Sequence, residues 1–597
     1  MRKYTYSSTY PQEQYQETYP DRVLVKKMLS YLAPYTWPIV CAILLLFAAK
    51  AIEAYVPLVI GEYSQTILNA TSTTLPIQKL AVGTAWIVAA LVLASLFETA
   101  NIIVKNWIGQ KALFKLRNDV FHHIQQLPVE YFDKNAVGRL MTRTIHDVDQ
   151  INLMFSDSII PLIGSIFLFI GVSIGVIVLN THLAIAFFVT LPILCVIANR
   201  FRKGQRKTYG KIRAIVSAMN TFIQEHLTGV STIRLFSLKS KEKGKFEKIN
   251  NDYKTGYVES GNHFAELFAG IDLIQSLALI LVFVLLVLSP QGFQGGEFFT
   301  FSLYVIMIFR PIGDLAERYN VLQSAVAASS RIFHILSIPI EVSTPSKKTI
   351  ATVESISFEN VWFAYDGEEW VIKDLSFEVK KGQTAALVGI TGAGKTTITS
   401  LLLRYYEIQK GSIKINGTDI REYSLATLRS CMSVVLQDPV IFSGSFSDNV
   451  SLNTSKISEK QINQALDDAN MEPIVRRYSK GRKHFIAERG TGLSTGEKQL
   501  LSLARAIAHN RDILILDEAT ANIDAYTERA IQEALHRLLS SKTSIVIAHR
   551  LSTIQHADKI LVMHQGELKE EGTHAQLLKS KGIYEKLYRL QFNGEAK

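Results

Sequence analysis

Gly389-Ile390-Thr391-Gly392-Ala393-Gly394-Lys395-Thr396 fits the pattern G-x-x-x-x-G-K-[ST], a phosphate-binding loop. An apolar run, Ala385 to Val388, precedes it and reads as a buried strand, and Thr397 to Arg404 follows and reads as a helix. The motif requires that strand–loop–helix context. Glycines let successive backbone N–H groups curl around the β- and γ-phosphates, and the helix N-terminus adds positive potential. Lys395 brings a charge to those phosphates, and the Thr396 hydroxyl is a ligand for Mg²⁺. A chance glycine-rich turn is the alternative, and the lysine and both flanks weigh against it. The stretch predicts a site for a nucleoside triphosphate.

At 597 residues the chain is too long for one core. A hydrophobic content of 48% with mean hydropathy +0.15 points to membrane segments. Three cysteines (Cys41, Cys195, Cys431) lie far apart without metal-ligand spacing, which argues against a disulfide scaffold or a zinc site. Met1 to Asp21 is polar and tyrosine-rich, with no apolar core of a cleavable signal, and reads as a disordered tail.

Arg22 to Tyr35 has the pattern of a short amphipathic helix on the membrane surface. Apolar runs near the length of a bilayer crossing come next, at Trp37–Ile60, Leu80–Val104, Ile159–Leu179, Leu183–Ala198, Ile271–Leu288 and Phe298–Phe309 with its continuation. Six spans are expected. The segments after the second and fourth spans are rich in Lys and Arg, whereas 66–78, 180–182 and 289–297 contain neither. The basic segments and the N-terminus are therefore expected on the cytoplasmic side. This placement explains much of the net charge of +11 without nucleic acid. Helix from Leu80 to Leu127 would run about 70 Å, more than twice the hydrocarbon thickness, so these helices must project into the cytoplasm. Their tips carry Tyr131-Phe132-Asp133 through Gly138-Arg139-Leu140, and Gln224-Glu225-His226-Leu227 with Gly229. Such tips are candidate contact sites for another domain. Lys50 and Glu53 share a helical face in the first span; Glu98, Asp272 and Arg310 are further intramembrane ionisable groups. Glu53 and Glu98 suggest a preference for cationic amphiphiles.

Residues 337–352 read as a linker, and the chain then turns α/β, with strands around Ile356–Phe363 and Leu375–Val379. Ile513 to Leu516 is a buried strand ending in Asp517-Glu518. An acidic residue at that end holds Mg²⁺, assigning Asp517 to the metal, and Glu518 can polarise the attacking water. Thr543 to Ala548 is another strand, leading to His549, a candidate partner of the γ-phosphate. Gly492-Leu493-Ser494-Thr495-Gly496-Glu497-Lys498-Gln499 opens a helix that Ser494 can cap.

In the order of these motifs the chain resembles the ABC transporter family, whose signature is L-S-G-G-Q in most members. Tyr365 stands where that family stacks an aromatic ring on adenine, and Gln437 in the loop that senses Mg²⁺ and the membrane domain. Glu488-Arg489-Gly490 precede the signature and Asp524 follows the acidic strand. The resemblance, to a type IV exporter half-transporter, covers the chain beyond the tail. It implies an α-helical six-span transmembrane domain (22–336) fused through the linker to an α/β P-loop nucleotide-binding domain (353–597). It also implies a catalytic set of Glu518, His549 and Gln437, with Thr396, Gln437 and Asp517 around Mg²⁺. ATP would contact Tyr365, Gly389, Thr391, Gly392, Ala393, Gly394, Lys395, Thr396, Thr397 and Asp524, and Ser494 and Gly496 of a second chain. Two chains would close on ATP and drive alternating access for amphiphilic, drug-like or lipid substrates.

Two departures from the family pattern stand in the signature: Thr495 for a glycine and Glu497 for Gln. A Cβ and a carboxylate beside a triphosphate are expected to weaken the site they complete. An intact Glu518 and His549 with a drifted signature is similar to the catalytic subunit of heterodimeric multidrug exporters, and that resemblance favours a heterodimer over a homodimer. The alternative function is a homodimeric lipid flippase, with a peptide exporter or a regulated channel behind it. A bacterial inner membrane is the expected location. Asn69-Ala70-Thr71 is a glycosylation sequon that matters only in a eukaryotic secretory setting.

Overall fold

The computed structural model describes residues 20–69, 77–288, 295–341, 348–517, 524–548 and 551–592. Residues 1–19 of the expected tail, Ala70 and Thr71 of the sequon, the middle of the linker, and Glu518 and His549 thus lie outside the described residues. The chain forms two compact units: Met1–Gln126 with Asn135–Ile338, and Leu127–Lys134 with Pro339–Lys597.

The first unit is helical. Asp21–Ser30 is the expected amphipathic helix, and its Leu24 and Met28, one turn apart, are buried against Leu116, Val120, Val148 and Ile332. A single 3₁₀ turn at Ala33–Tyr35, containing Pro34, separates it from the first long helix. Long helices run over Thr36–Leu68, Ile77–Gln125, Thr181–Thr228, Lys239–Val287 and Gly295–Ile335, with Val137–Leu179 between the second and third. Among the described residues, four helices are long and apolar enough to cross a membrane: Ala33–Leu68, Ile77–Gln125, Val137–Leu179 and Lys239–Val287. The fourth and sixth expected spans fall in Thr181–Thr228 and Gly295–Ile335, the latter with a shorter apolar stretch at Gly295–Met307. The apolar core joins Val172, Val176, Val282, Phe301 and Val305, and the Tyr304 hydroxyl donates to the Ala54 carbonyl at 2.9 Å.

Two π-helical stretches, Arg143–Asp147 and Met154–Ile159, interrupt Val137–Leu179. The first buries Arg143 and Asp147, and the Asp147 carboxylate accepts from Arg331 Nε at 2.8 Å and Nη2 at 2.5 Å. A buried charge requires such a partner, and the wider turn lets the helix present it. Lys50 Nζ lies 2.7 Å from Glu53 and 3.7 Å from Glu98, so one ammonium serves two carboxylates. At the tip around Gly229, His226 Nε2 contacts Glu242 at 2.8 Å, while Leu227, Leu235 and Phe236 are exposed.

The second unit holds two main sheets. Strands β1 (Ser355–Ala364), β2 (Trp370–Lys380), β4 (Lys410–Ile415) and β5 (Thr418–Asp419) form an antiparallel sheet in the order β2-β1-β4-β5. Strands β3 (Thr384–Val388), β6 (Met432–Val435), β9 (Ile513–Asp517), β10 (Thr543–Ile547), β11 (Lys559–His564) and β12 (Glu567–Gly572) form the other, in the order β12-β11-β3-β10-β9-β6. Only β12 runs antiparallel in this sheet. Continuous apolar runs such as Thr384–Val388 suit a parallel sheet covered on both faces, and all five residues of β3 are buried. Gly444–Ser445 and Phe485–Ile486 make a small ladder, β7 with β8.

Candidate nucleotide site

The ends of β3, β6, β9 and β10 lie along one edge of the parallel sheet, where ligands of open α/β sheets bind. Register fixes the neighbours there: Ile547 pairs with Asp517, and Val435 with Leu516. The loop after β3 is therefore at the same edge as the acidic end of β9, with β10 between the two strands, and Gln437 comes after β6 at that edge, exposed.

The helix after the loop begins at Lys395 and ends at Leu402, earlier at both ends than the sequence suggested. Gly394 sets its start: it is left-handed, with φ +96°, and a Cβ there would come within 2.7 Å of Ile372. Arg404, with φ +53°, ends the run the sequence assigned to helix. At Gly389 a Cβ would meet the Met563 carbonyl at 2.4 Å, so the strand can enter the loop only as glycine. Lys395 is buried, and its Nζ donates to the carbonyls of Gly389 at 2.7 Å and Ile390 at 3.1 Å. Burial lowers its pKa, and the nearby charge of Asp517 opposes that shift. An ammonium held inside a loop of backbone groups and facing one carboxylate suits a polyanion carrying a divalent cation. Thr396 is exposed; Thr397 is buried, and its hydroxyl meets the Tyr365 hydroxyl at 3.1 Å. Thr391 and Gly392 are exposed, and Ala393 is buried under the loop.

Ser494 caps the helix Thr495–His509 in a reciprocal box. Its hydroxyl accepts from the Glu497 N–H at 3.3 Å, and Glu497 Oε2 accepts from the Ser494 N–H at 2.9 Å. The other Glu497 oxygen pairs with Arg477. The carboxylate expected to burden a triphosphate is thus already engaged, with its side chain 11% exposed. Ser494 and Thr495 remain exposed, and Gly496 is buried. Asp524 caps the helix Ala525–Leu539, accepting from the Thr527 N–H at 2.9 Å, an interaction that holds its carboxyl below the usual range. Arg477 lies far from the signature in sequence, and nothing in the sequence marked it. Tyr406 was missed for the same reason: its ring stands edge-on to Tyr365, centroids 5.0 Å apart.

Comparison with known proteins agrees with this arrangement. Residues 39–312 match the ABC transporter transmembrane region and residues 372–521 the ABC transporter domain. The chain is 32% identical over 578 residues to the ATP-dependent lipid A-core flippase of Idiomarina loihiensis, covering 96% of this chain and 98% of that protein. It is 34% identical over 516 residues to the "Probable multidrug resistance ABC transporter ATP-binding/permease protein YheH" of Bacillus subtilis, covering 84% and 75%. Its structure is similar to that of a bacterial Atm1-family ABC exporter with ATP bound, with TM-score 0.75 and 26% identity over 93% of this chain and 98% of the other. A helical transmembrane region, a phosphate loop set against an acidic strand end, and a capped signature helix thus occur together in a chain that belongs to the ABC transporter family, as an exporter driven by ATP hydrolysis.

Proposed function

We propose that this chain forms a homodimeric exporter that moves a lipid or lipid-like amphiphile across the bacterial inner membrane. The observation that carries the reading is similarity to a lipid A-core flippase along nearly the whole of both chains. The preference for a heterodimer, drawn from the drifted signature, is not supported. Glu497 is neutralised by Arg477 and by the helix it caps, so it gives no reason to require a different partner. The boundaries 22–336, 337–352 and 353–597 and the six-span count remain part of the proposal, with the nucleotide-binding domain in the cytoplasm.

In this reading Tyr365 supports adenine, and the loop from Gly389 to Thr397 holds the phosphates. Asp517, Thr396 and Gln437 would hold Mg²⁺, which would supply positive charge to screen the phosphates. Lys395, freed from the Gly389 and Ile390 carbonyls, turns to the β- and γ-phosphates. Glu518 takes a proton from water and His549 contacts the γ-phosphate. Ser494 and Gly496 close over ATP on the partner chain, with Asp524 nearby. Tyr131-Phe132-Asp133 and the Gln224–Gly229 tip carry the closure to the helices. Each state is favoured by the ligand that binds it better.

The chain reconstituted alone in vesicles, with fluorescent headgroup-labelled lipid, tests this. ATP-dependent lipid movement that Glu518→Gln abolishes is expected. ATP binding without turnover would instead require a second, different chain. A second reading, drug export, rests on the similarity to YheH. Cationic dye extrusion without lipid movement would favour it.

A further inference from the structure

Helix Val129–Lys134 belongs to the unit that carries the nucleotide site, although its chain neighbours on both sides belong to the other. Two of its contacts lead to Tyr365. The Tyr406 hydroxyl donates to Asp133 Oδ2. Lys134 Nζ lies 3.4 Å from Asp366, the residue after Tyr365.

Tyr406 is one corner of an aromatic triangle. Tyr365 and Tyr406 meet at 5.0 Å and 88°, Phe363 and Tyr365 at 4.8 Å and 84°, and Phe363 and Tyr406 at 5.7 Å and 62°. Edge-to-face contacts of this kind have preferred geometry, so each ring restrains the other two. Phe363 is buried in β1 and anchors the group. Tyr365 is held a second time through its hydroxyl, 3.1 Å from Thr397 Oγ1 in the helix that starts at Lys395. Its ring is therefore fixed at its tip by the phosphate-loop helix and at its side by Tyr406. Tyr365 itself is 41% exposed and can still receive a flat ligand. Burial and Asp133 hold the Tyr406 hydroxyl above its usual range, so it donates as a neutral group at physiological pH.

We infer that Tyr406 is a positioning residue that sets the base-stacking face of Tyr365 and links it to Asp133, so that helix Val129–Lys134 responds to the nucleobase rather than to the phosphates alone. A ring orientation that favours base binding must in turn be favoured by the bound base, because coupling between two sites is reciprocal. Pre-set orientation also lowers the ordering cost of binding. This route differs from the loop holding Gln437, which lies at the end of β6 beside the acidic strand. It rests on Tyr365 being the base platform.

The test uses the full chain in lipid vesicles and two probes, Mg·ATP and Mg·tripolyphosphate, which lacks a base. Dissociation constants and amide exchange of residues 127–134 are measured for the parent chain and for Tyr365→Ala, Tyr406→Ala, Tyr406→Phe and Asp133→Ala. Tyr406→Ala is expected to weaken ATP about 2- to 10-fold, the range of one aromatic pair, and to leave tripolyphosphate unchanged. Tyr406→Phe should recover ATP affinity, since the ring is retained. In the parent chain ATP should slow exchange in 127–134 more than tripolyphosphate does. That difference should vanish in Tyr406→Phe and in Asp133→Ala. Equal weakening of both probes by Tyr406→Ala would show a merely structural role and overturn the inference, as would equal protection by both probes in the parent chain. An unchanged ATP constant in Tyr365→Ala would instead remove the base platform itself.

Discussion

Glu497 Oε2 lies 2.9 Å from the Ser494 N–H, while its other oxygen pairs with Arg477. A carboxylate shared between a helix cap and a guanidinium carries little free charge toward a ligand at Ser494. Glu497→Gln retains an acceptor for the Ser494 N–H and is expected to leave ATP turnover within about twofold, because a cap hydrogen bond is preserved. Arg477→Ala leaves the carboxylate uncompensated. Arg477 is more than half exposed, so the loss is expected to be on the order of 1 kcal/mol or less, at most about fivefold in turnover. A several-fold gain from Glu497→Gln would restore the view that this side chain handicaps the site.

Thr397 and Tyr365 join the phosphate-loop helix to the proposed base side of the site through one hydroxyl pair. Thr397→Val removes it and should raise the ATP dissociation constant about 2- to 10-fold, the range of one neutral hydrogen bond. Thr397→Ser should recover it. Isothermal titration of both variants measures this, and an unaffected Thr397→Val would mean the pair does not restrain Tyr365.

Lys50 serves Glu53 at 2.7 Å and Glu98 at 3.7 Å. Within a bilayer an unpaired carboxylate costs about 2.5–3.5 kcal/mol near the centre on insertion scales. Lys50→Ala is therefore expected to lower the melting temperature in detergent, and adding Glu53→Gln should restore part of the loss. If neutralising Glu53 and Glu98 together leaves transport of a cationic dye unchanged, these groups stabilise the helices and do not choose the substrate.

Cys431 is buried, its thiol donates to the Leu428 carbonyl at 2.9 Å, and burial pushes its pKa up to about 11. At pH 8 iodoacetamide should modify it only after unfolding, as read by mass spectrometry. A raised folded-state pKa stabilises the fold below the unfolded value of 9.0, and that contribution is lost as pH rises toward 11. Stability should fall more steeply over that interval in the parent chain than in Cys431→Ala. Labelling of the folded protein at pH 8 would contradict this.

The strand before the phosphate loop was legible because a fully covered parallel strand must be apolar throughout: Ala385–Val388 lies within Thr384–Val388. The capped signature helix was legible for a local reason too, since a cap needs only residues three apart. The helix after the loop was misplaced by two residues at its start, because the left-handed Gly394 delivers Lys395 directly into the first turn. Partnerships between distant residues were not legible. Arg477 with Glu497, Asp147 with Arg331 and Tyr406 with Asp133 depend on how elements are brought together, and no periodicity encodes that. The π-helical stretches were missed likewise, since residue types over 143–147 still permit an ordinary helix.

The nucleotide-binding unit is discontinuous in sequence, because residues 127–134 belong to it and the rest begins at Pro339. That short helix is synthesised well before the surface it docks on, since Asp133 precedes Tyr406 by 273 residues, and Tyr406 finds its acceptor already made. A soluble fragment starting at the linker would keep the phosphate loop yet lack the group that accepts from Tyr406. Such a fragment reports the ATP chemistry of an incomplete domain, and the response of helix Val129–Lys134 to a bound base is the part of it that the fragment leaves out.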